Sequence, residues 1–494
     1  MSKTCSYWRG LALFMILACS VLASPVNNVI KRNSKSSPSP SPANTTVAAW
    51  ITQPIDHFGA NNGMWKQQYM VNAKYYKSGG PIYILTPGES EVSSMYTEDT
   101  HFVSLASETN GLMVAIEHRF FGNSNPMPDL SGASLKYLTL ENTLEDFARF
   151  IRIAKTNSST LFQKAISANP KIVFVGGSYG GALAAWMRAM YPDLVTAAWA
   201  SSAPVFTYID FYHLDQALGR HLTARGCGKS FAQGVKELDA ILLSKNSSSL
   251  DSVRKMFSVT GNTAQDVAAG ITSAITGTVN MPVMLNGDAL DQSVCSFFEK
   301  SLPPLTAYSK AVSAAVEGYA MPQAIRPYRN MAMYRRDMST KSQGDLALNQ
   351  PFRSWYYICC KWFSNWQVAP LKASNLTAYR SQLVDREYWQ GGCQSSFGSS
   401  VHPLTDATEH NRKWLGMLRD VTNIYYTVGE LDPWRDTTVA TVDGTLLSNT
   451  ASSPIFVMNG ATHTQDMQPD TTYDLNSVRM AKQMGDSLIK KWIV

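Results

Sequence analysis

The pattern of apolar and polar positions divides the chain into short buried strands and amphipathic helices. Apolar, β-branched runs bounded by glycine or proline predict strands at Pro81 to Thr86, Leu112 to Ile116, Ile172 to Val175, Val195 to Ala200, Asn423 to Val428 and Pro454 to Met458. Apolar residues at three- and four-residue spacing predict helices at Leu140 to Ile153, Phe231 to Leu243, Ala264 to Ile275 and Leu475 to Ile493. Strands that alternate with helices indicate an α/β fold with a parallel sheet covered on both faces.

The domain organisation follows from where these patterns change. The chain has 494 residues, enough for a large core and two domains. Helical patterns with few buried strands fill residues 206–399, and strand patterns return after them. We therefore predict one α/β domain formed by residues 47–205 and 400–494, with a mostly helical cap domain, residues 206–399, inserted between the two parts.

The N-terminus carries the pattern of an export signal. Two basic residues precede an apolar run from Leu11 to Leu22, and small residues favour cleavage before Ser24. We predict a signal peptide at residues 1–23, with an uncleaved anchor as the alternative. Residues 24–46 are rich in serine and proline and predict a disordered or processed leader. Within it, Lys31-Arg32 is either a cleavage site or a pair of solvated charges.

Cysteines and glycosylation motifs agree with export to an oxidising compartment. Signal cleavage leaves five cysteines, all in the predicted cap, which suggests two disulfides and one free thiol. Asparagines in N-x-S/T motifs, which predict glycosylation, are Asn44, Asn157, Asn246 and Asn375. We predict a secreted protein, with a vacuolar or lysosomal location as the alternative.

The amino-acid composition indicates which kinds of binding partner are not expected. Hydrophobic residues make up 45% and charged residues 16% of the chain, values ordinary for a soluble globular protein. The net charge of +6 is spread without a long Lys/Arg run, so the sequence gives no indication of nucleic-acid binding. After the N-terminal run, no segment is long and apolar enough to indicate a membrane partner.

The candidate nucleophile lies in KIVFVGGSYGGALAAWMR, Lys171 to Arg188. A predicted strand, a glycine-rich turn holding Ser178 and a predicted helix follow one another. This is the context in which G-x-S-x-G forms a nucleophile elbow. Such a turn strains the serine backbone, presents its Oγ and points the N–H of Tyr179 toward a developing oxyanion.

The base and the acid are expected on loops after late strands, in the chain order Ser, acid, His. Of eight histidines only His463 follows a late strand, so we predict it as the general base. The loop after the preceding strand offers Glu430, Asp432 and Asp436, and Pro433 favours Asp432 because it rigidifies the turn. A second oxyanion donor is expected after an early strand, from the N–H of Gly88 or Glu89.

Several motifs together resemble one family of serine peptidases. They are Q-x-x-D-H-F at Gln53 to Phe58, LTPGE at Leu85 to Glu89, EHRFFG at Glu117 to Gly122, YLTLENTLED at Tyr137 to Asp146, GGSYGGALAAW at Gly176 to Trp186, DPWRD at Asp432 to Asp436 and G-x-x-H at Gly460 to His463. In this order they are similar to the family of prolyl carboxypeptidase and dipeptidyl peptidase 2, and especially to its secreted fungal prolyl peptidases.

The resemblance implies a fold, an activity and a set of roles. It implies an α/β-hydrolase domain with a helical cap, peptide substrates cleaved after proline, and no cofactor or metal. It supports Asp432 as the acid and Trp434 as a wall of the proline pocket, where Ala182 leaves more room than the methionine of some members. It also implies the disulfide pairs Cys227–Cys295 and Cys360–Cys393, with Cys359 free.

Other points stay open at the level of the sequence. Lys361 and Trp362 stand where the family usually has a short polar residue and a glutamate, so specificity is less firmly implied. Glu117, His118 and Arg119 favour a buried structural network over direct chemistry. The triad also fits an esterase, whereas the intact Ser178, Asp432 and His463 argue against a third alternative, a non-catalytic binding protein on the same scaffold. Exo- or endopeptidase action, pH optimum and oligomeric state, a dimer included, are not fixed.

Overall fold

This computed structural model describes residues 45–494 apart from 60, 157–160, 163–165, 245, 258, 260–262, 276–293, 300 and 319–350. The predicted signal peptide, the leader and the motifs at Asn44 and Asn157 therefore lie outside the described residues. The asparagines of the other two motifs, Asn246 and Asn375, are exposed. Within the described part of the chain, every helix is too short or too polar to cross a bilayer.

The core of the fold is one eight-stranded sheet. Among the described residues the strands are β1 Thr46–Pro54, β2 Met64–Asn72, β3 Ile82–Leu85, β4 Leu112–Ile116, β5 Ile172–Gly177, β6 Ala197–Ser201, β7 Ile424–Gly429, β8 Ala440–Thr441, β9 Gly444–Thr445 and β10 Ile455–Met458. The sheet order is β1-β2-β4-β3-β5-β6-β7-β10, while β8 and β9 form a separate ribbon. Strand β2 runs antiparallel to both neighbours and all other sheet pairs are parallel. This topology confirms the predicted α/β-hydrolase fold.

Helices cover both faces of the sheet and occupy much of the described chain between β6 and β7. They are α1 Met95–Glu98, α2 His101–Thr109, α3 Gly132–Leu135, α4 Leu140–Thr156, α5 Tyr179–Met190, α6 His213–Ala224, α7 Gly228–Leu243, α8 Ser247–Phe257, α9 Ala264–Ile275, α10 Pro304–Gly318, α11 Pro351–Ile358, α12 Arg386–Phe397, α13 Thr408–Trp414 and α14 Asn476–Trp492. Strands β3, β4, β6 and β7 are buried at every position, because helices exclude water from both sheet faces.

Apolar side chains gather in a large main cluster on the sheet and a second large cluster among the inserted helices. The second cluster contains Phe231, Leu238 and the disulfide Cys227–Cys295. The other disulfide, Cys360–Cys393, lies in the main cluster. Both pairs are those that the family resemblance implies, and Cys359 is the free thiol among the described cysteines. Part of the predicted cap sequence thus packs on the sheet domain, and the division at residues 205 and 399 stays a prediction.

A buried ion network fixes the sheet edge against α4. Arg119 binds both carboxylate oxygens of Asp146, with its Nε 2.6 Å from Oδ2, and also donates to the carbonyls of Ile55 and Tyr137. The Nε2 of His57 lies 2.7 Å from Oδ1 of the same Asp146. These partners satisfy a fully buried guanidinium, as the low-dielectric interior requires.

Candidate active site

The turn at Ser178 connects β5 to α5 in a strained conformation. Ser178 has φ 57° and ψ −131°, a left-handed region that costs a non-glycine residue about 1–3 kcal/mol. Its N–H donates to the carbonyl oxygen of Ser201 at 2.9 Å, which ties the turn to the end of β6. Ser178 and Gly177 are partly exposed, although the rest of β5 and the following residue, Tyr179, are buried. The predicted nucleophile therefore stands at the surface of a rigid turn.

His463 and Asp432 form a buried pair at the carboxyl ends of β10 and β7. The Nδ1 of His463 lies 2.9 Å from each carboxylate oxygen of Asp432. The residues are 5% and 2% exposed, so water competes little for this bond. The N–H of Trp434 donates to Asp432 Oδ1 at 2.9 Å and orients the carboxylate further. With Nδ1 donating to Asp432, Nε2 is the ring nitrogen left to act as a base.

The other two acids of this loop make different bonds. Asp436 Oδ1 accepts from the N–H of Val442 at 2.8 Å. Glu430 Oε2 accepts from the N–H of Gly460 at 2.8 Å, and its residue is exposed. Both carboxylates thus order nearby backbone, and the structure brings Asp432, not these two, to the imidazole.

The histidine loop packs directly on the nucleophile turn. A Cβ on Gly177 would lie 2.9 Å from Cγ2 of Thr464, so only glycine permits this approach. The N–H of Thr464 donates to Ser202 Oγ at 3.1 Å. Because Thr464 follows His463 and Gly177 precedes Ser178, the segment of the predicted base packs against the segment of the predicted nucleophile.

The electrostatics of the pair favour a charged imidazole. Burial lowers the pKa of His463, but the carboxylate of Asp432 raises it by charge and hydrogen bonding, and Glu89 and Asp466 raise it further. The net result is a pKa above the ordinary value of 6.5. A buried imidazolium is therefore stabilised by its surroundings, as a general base requires once it has taken a proton.

The loop after β3 reaches the first turn of α5. Gly88 has φ +71°, and a Cβ there would lie 2.9 Å from the backbone nitrogen of Gly180. Tyr179 is the first residue of α5, where an N–H has no intrahelical acceptor. Its hydroxyl lies 3.1 Å from Nε2 of His118, which anchors the start of the helix. The predicted oxyanion donors thus belong to two segments in close contact.

Glu89 is a buried acid at this junction. It is 7% exposed, and among the described residues its Oε2 has no hydrogen-bond partner. Burial raises its pKa to about 7, although its own backbone N–H and the charge of His463 act in the opposite direction. The carboxyl group of Glu89 can therefore be neutral near pH 7, and only its ionised form interacts favourably with the charge of His463.

The two predicted pocket residues lie in different surroundings. Trp434 is partly buried and stacks on Phe211, with ring centroids 5.3 Å apart and an interplanar angle of 17°. Ala182 is fully buried within the main cluster on α5, so its part in a pocket stays a prediction. Phe211 is an aromatic contact that sequence reasoning missed, because nothing in its local sequence indicates a partner more than 200 positions away.

The residues of the EHRFFG motif form a buried hydrogen-bond network, which is the structural role that the sequence favours. Glu117 accepts from the N–H groups of Val92 and Asn123 and from Ser124 Oγ at 2.6–3.0 Å. Burial raises the pKa of Glu117 to about 7 and lowers that of His118 to about 4. All of these contacts are internal, so they hold the loop after β4 in place.

Comparisons with known proteins agree on one family. The profile of the family described as serine carboxypeptidase S28 matches residues 53–485. Lysosomal Pro-X carboxypeptidase of Bos taurus is 27% identical over 469 residues, covering 90% of this chain and 87% of its own. A probable extracellular serine carboxypeptidase of Arthroderma benhamiae is 25% identical over 486 residues, covering 90% and 67%. Serine protease vicPb of Bipolaris victoriae is 26% identical over 497 residues, covering 92% and 91%.

Among solved structures, proline iminopeptidase of Mycobacterium smegmatis aligns at 12% identity and a TM-score of 0.35, over 90% of this chain and 99% of that chain. The family match spans most of the sequence, from the strand before Phe58 to the C-terminal helix. The three relatives are named as serine proteases and carboxypeptidases. The chain therefore belongs to the serine carboxypeptidase S28 family and is a serine-type peptidase.

Proposed function

We propose that this peptidase cleaves on the carboxyl side of proline, or of a similarly small apolar residue, through a triad of Ser178, Asp432 and His463. The observation that carries the proposal is the buried His463–Asp432 pair, at 2.9 Å, on a loop packed against the strained turn of Ser178. A serine nucleophile, an oriented imidazole and a buried carboxylate are the three parts that acyl transfer needs.

In the proposed reaction His463 Nε2 takes the proton of Ser178 Oγ while Oγ attacks the scissile carbonyl carbon. Asp432 holds the tautomer with Nδ1 protonated and stabilises the imidazolium that forms. The imidazolium then gives its proton to the leaving amine, which leaves an acyl-enzyme on Ser178. Water attacks the ester by the same route, releases the acid product and restores the serine.

The oxyanion of the tetrahedral intermediate needs donors at the nucleophile turn. The proposed donors are the N–H of Tyr179 at the start of α5 and the N–H of Gly88 or Glu89. Contact between the Gly88 backbone and α5 supports this pairing. Neutral Glu89 adds an O–H donor near His463, whereas ionised Glu89 would place negative charge beside the oxyanion. Its raised pKa favours the neutral form at acid pH.

The proposed proline preference rests on the aromatic pair beside the acid. The backbone of Trp434 binds Asp432, so the indole is fixed relative to the triad, and Phe211 supports its other face. A flat apolar wall suits the proline ring, which has no N–H to satisfy. The bovine relative's name, Pro-X carboxypeptidase, points the same way. Phe211 lies within residues 206–399, just before helix α6. Its contact with Trp434 supports the proposal that residues 206–399 form a cap over the site.

Export is also part of the proposal. The sequence pattern of a signal peptide, two disulfides and the extracellular relative support secretion, with a vacuolar or lysosomal location as the alternative. Disulfides persist in oxidising compartments and are rare in the cytosol. Sequencing the N-terminus of the mature protein from the medium of the producing cell tests this directly, and a start near Ser24 or after Arg32 is expected.

The specificity is tested by digestion of matched peptides that differ only at one central residue, which is proline, alanine or lysine. Each peptide is prepared with free ends and with both ends blocked, and products are identified by mass spectrometry. We expect cleavage to be fastest after proline, slower after alanine and slowest after lysine. Cleavage of blocked peptides identifies endopeptidase action. Equal cleavage after lysine and proline contradicts the proposed pocket.

A further inference from the structure

Asp466 is a fully buried carboxylate three residues after His463. Its Oδ2 accepts from Trp199 Nε1 at 2.8 Å and from Thr427 Oγ1 at 2.6 Å, and its Oδ1 accepts from Ser201 Oγ at 2.5 Å. Each donor lies on β6 or β7, neither of which carries the histidine. The histidine loop is thus bound through one side chain to two neighbouring strands.

The same two strands hold the rest of the proposed triad. The carbonyl of Ser201 accepts from the N–H of Ser178 at 2.9 Å, while the Ser201 hydroxyl donates to Asp466. Thr427 lies on β7, which leads into the loop of Asp432. Ser201 and Thr427 therefore join the segments of nucleophile, acid and base, and Asp466 is the group that connects the base to both.

We propose that Asp466 is a positioning residue, which holds the loop of His463 so that its imidazole meets Ser178 and whose negative charge supports the imidazolium. This inference rests on the triad of the proposed function and deepens it. Its two effects have different origins, since the hydrogen bonds fix the loop and the charge acts through space. Suitable variants separate them.

The acidic groups that act on His463 come from three segments. They are Asp432 after β7, Glu89 after β3 and Asp466 on the histidine loop itself. All three raise the pKa of His463 against the effect of burial. Loss of the charge of Asp466 alone therefore lowers the pKa of His463, whereas loss of one hydrogen bond to Asp466 leaves the charge in place.

Asp466→Asn isolates the charge. The amide oxygen can accept from Trp199 and Thr427 at the Oδ2 position, and the amide N–H₂ can donate to Ser201, whose hydroxyl is able to accept. Ser201→Ala removes one hydrogen bond that holds the histidine loop, because it deletes the hydroxyl that donates to Asp466. It keeps the charge of Asp466 and the backbone carbonyl of Ser201 that accepts from Ser178. Asp129→Asn is the matched control, since Asp129 Oδ1 accepts from Ser134 Oγ at 2.5 Å outside the proposed triad segments.

The readout is the rate at which a small fluorophosphonate labels Ser178 in the full-length protein, measured from pH 4 to 9. This reaction needs the triad but not the proline pocket. For Asp466→Asn we expect the acid limb of the rate profile to move to lower pH and the plateau rate to fall. For Ser201→Ala we expect the plateau rate to be on the order of 10- to 100-fold lower than in the wild type, while the acid limb of the rate profile does not move to lower pH. The control variant should match the wild type.

Thermal unfolding establishes which variants are folded. A folded Asp466→Asn protein with the wild-type rate and profile overturns the inference. If Asp466→Asn does not fold, Ser201→Ala decides: a wild-type plateau overturns the inference and a lowered one supports it. A wild-type enzyme that labels at Ser178 but shows no proline preference refutes the proposed specificity and leaves this inference standing.

Discussion

His463 Nδ1 lies 2.9 Å from both carboxylate oxygens of Asp432, although the two residues are 31 positions apart. They meet because β7 and β10 are parallel neighbours, so the loops at their carboxyl ends lie side by side. The N–H of Leu431 donates to the carbonyl of Ala461 at 2.9 Å and joins these loops directly. The sheet thus fixes the geometry of the pair before any substrate is bound.

Asp432→Asn should lower kcat on the order of 10⁴-fold. An amide that presents its N–H₂ to Nδ1 favours the wrong tautomer and withdraws the charge that stabilises imidazolium. Asp436→Asn is the control, because the described contact of its carboxylate is with the backbone N–H of Val442, between β8 and β9, and not with His463. Steady-state kinetics on a proline peptide measures both, and a larger loss in Asp436→Asn shows that the acid is misassigned.

Glu89→Gln should change the pH dependence of activity in a defined direction. Burial raises the pKa of Glu89 to about 7, so wild-type activity should fall as pH rises through that value and the acid ionises. Glutamine keeps a donor at every pH, so the variant should retain activity at pH 8. An unchanged alkaline limb in kcat/KM profiles would contradict this role.

Trp434→Ala should lower kcat/KM for proline peptides more than it lowers labelling of Ser178 by a small fluorophosphonate. The indole forms the proposed pocket wall, and a small probe does not fill that pocket. Because one methylene group discriminates by about 1–3 kcal/mol, loss of a whole ring should reduce the preference for proline over alanine at least tenfold. Phe211→Leu should give a smaller change of the same kind, since Phe211 only supports the indole. Equal losses for peptide and probe would show a general structural defect.

His101→Gln should destabilise the protein chiefly at low pH. The His101 ring is buried between Asp470 and Asp486, at 2.8 and 2.9 Å. Burial lowers its pKa, but the two carboxylates outweigh burial and raise the pKa above 6.5. The stabilisation is therefore complete below pH 6.5 and is lost as pH rises through the folded-state pKa.

The expected loss is about 1–2 kcal/mol in the free energy of unfolding at pH 5 and less at pH 8. Urea unfolding at the two pH values measures it. His402→Gln, at an exposed position, is the control and should leave both values unchanged. A loss in His101→Gln that does not depend on pH would show that packing against Trp199, not charge, is what His101 contributes.

Much of the sheet could be predicted because its strands are apolar runs between turn residues. The predicted strand from Leu112 to Ile116 matches β4, and the predicted helix from Ala264 to Ile275 matches α9. The first two strands were not predicted, since β1 and β2 bury polar side chains. Gln53 and Gln67 are fully buried and hydrogen-bonded to each other, which a hydrophobic pattern cannot indicate.

In the candidate site, too, some residues could be predicted from the sequence and others could not. Ser178 and His463 follow from glycine and strand patterns that are local in sequence. The burial of Glu89 and the anchoring of Asp466 depend on groups from several strands, so a single carboxylate in a loop gives no sign of either. The stacking of Phe211 on Trp434 is likewise a tertiary contact, which only the folded chain reveals.

The proline-directed triad is tested most directly by two phosphonates of one design, with either proline or lysine at the position before the reactive phosphorus. Labelling rates are measured for the wild type, for Ser178→Ala and for Asp432→Asn, and the labelled residue is identified by mass spectrometry. We predict that the proline reagent labels Ser178 faster than the lysine reagent, that Asp432→Asn slows labelling strongly, and that Ser178→Ala abolishes it. Labelling that survives in Ser178→Ala, or that is faster with the lysine reagent, would contradict the proposed proline-directed triad.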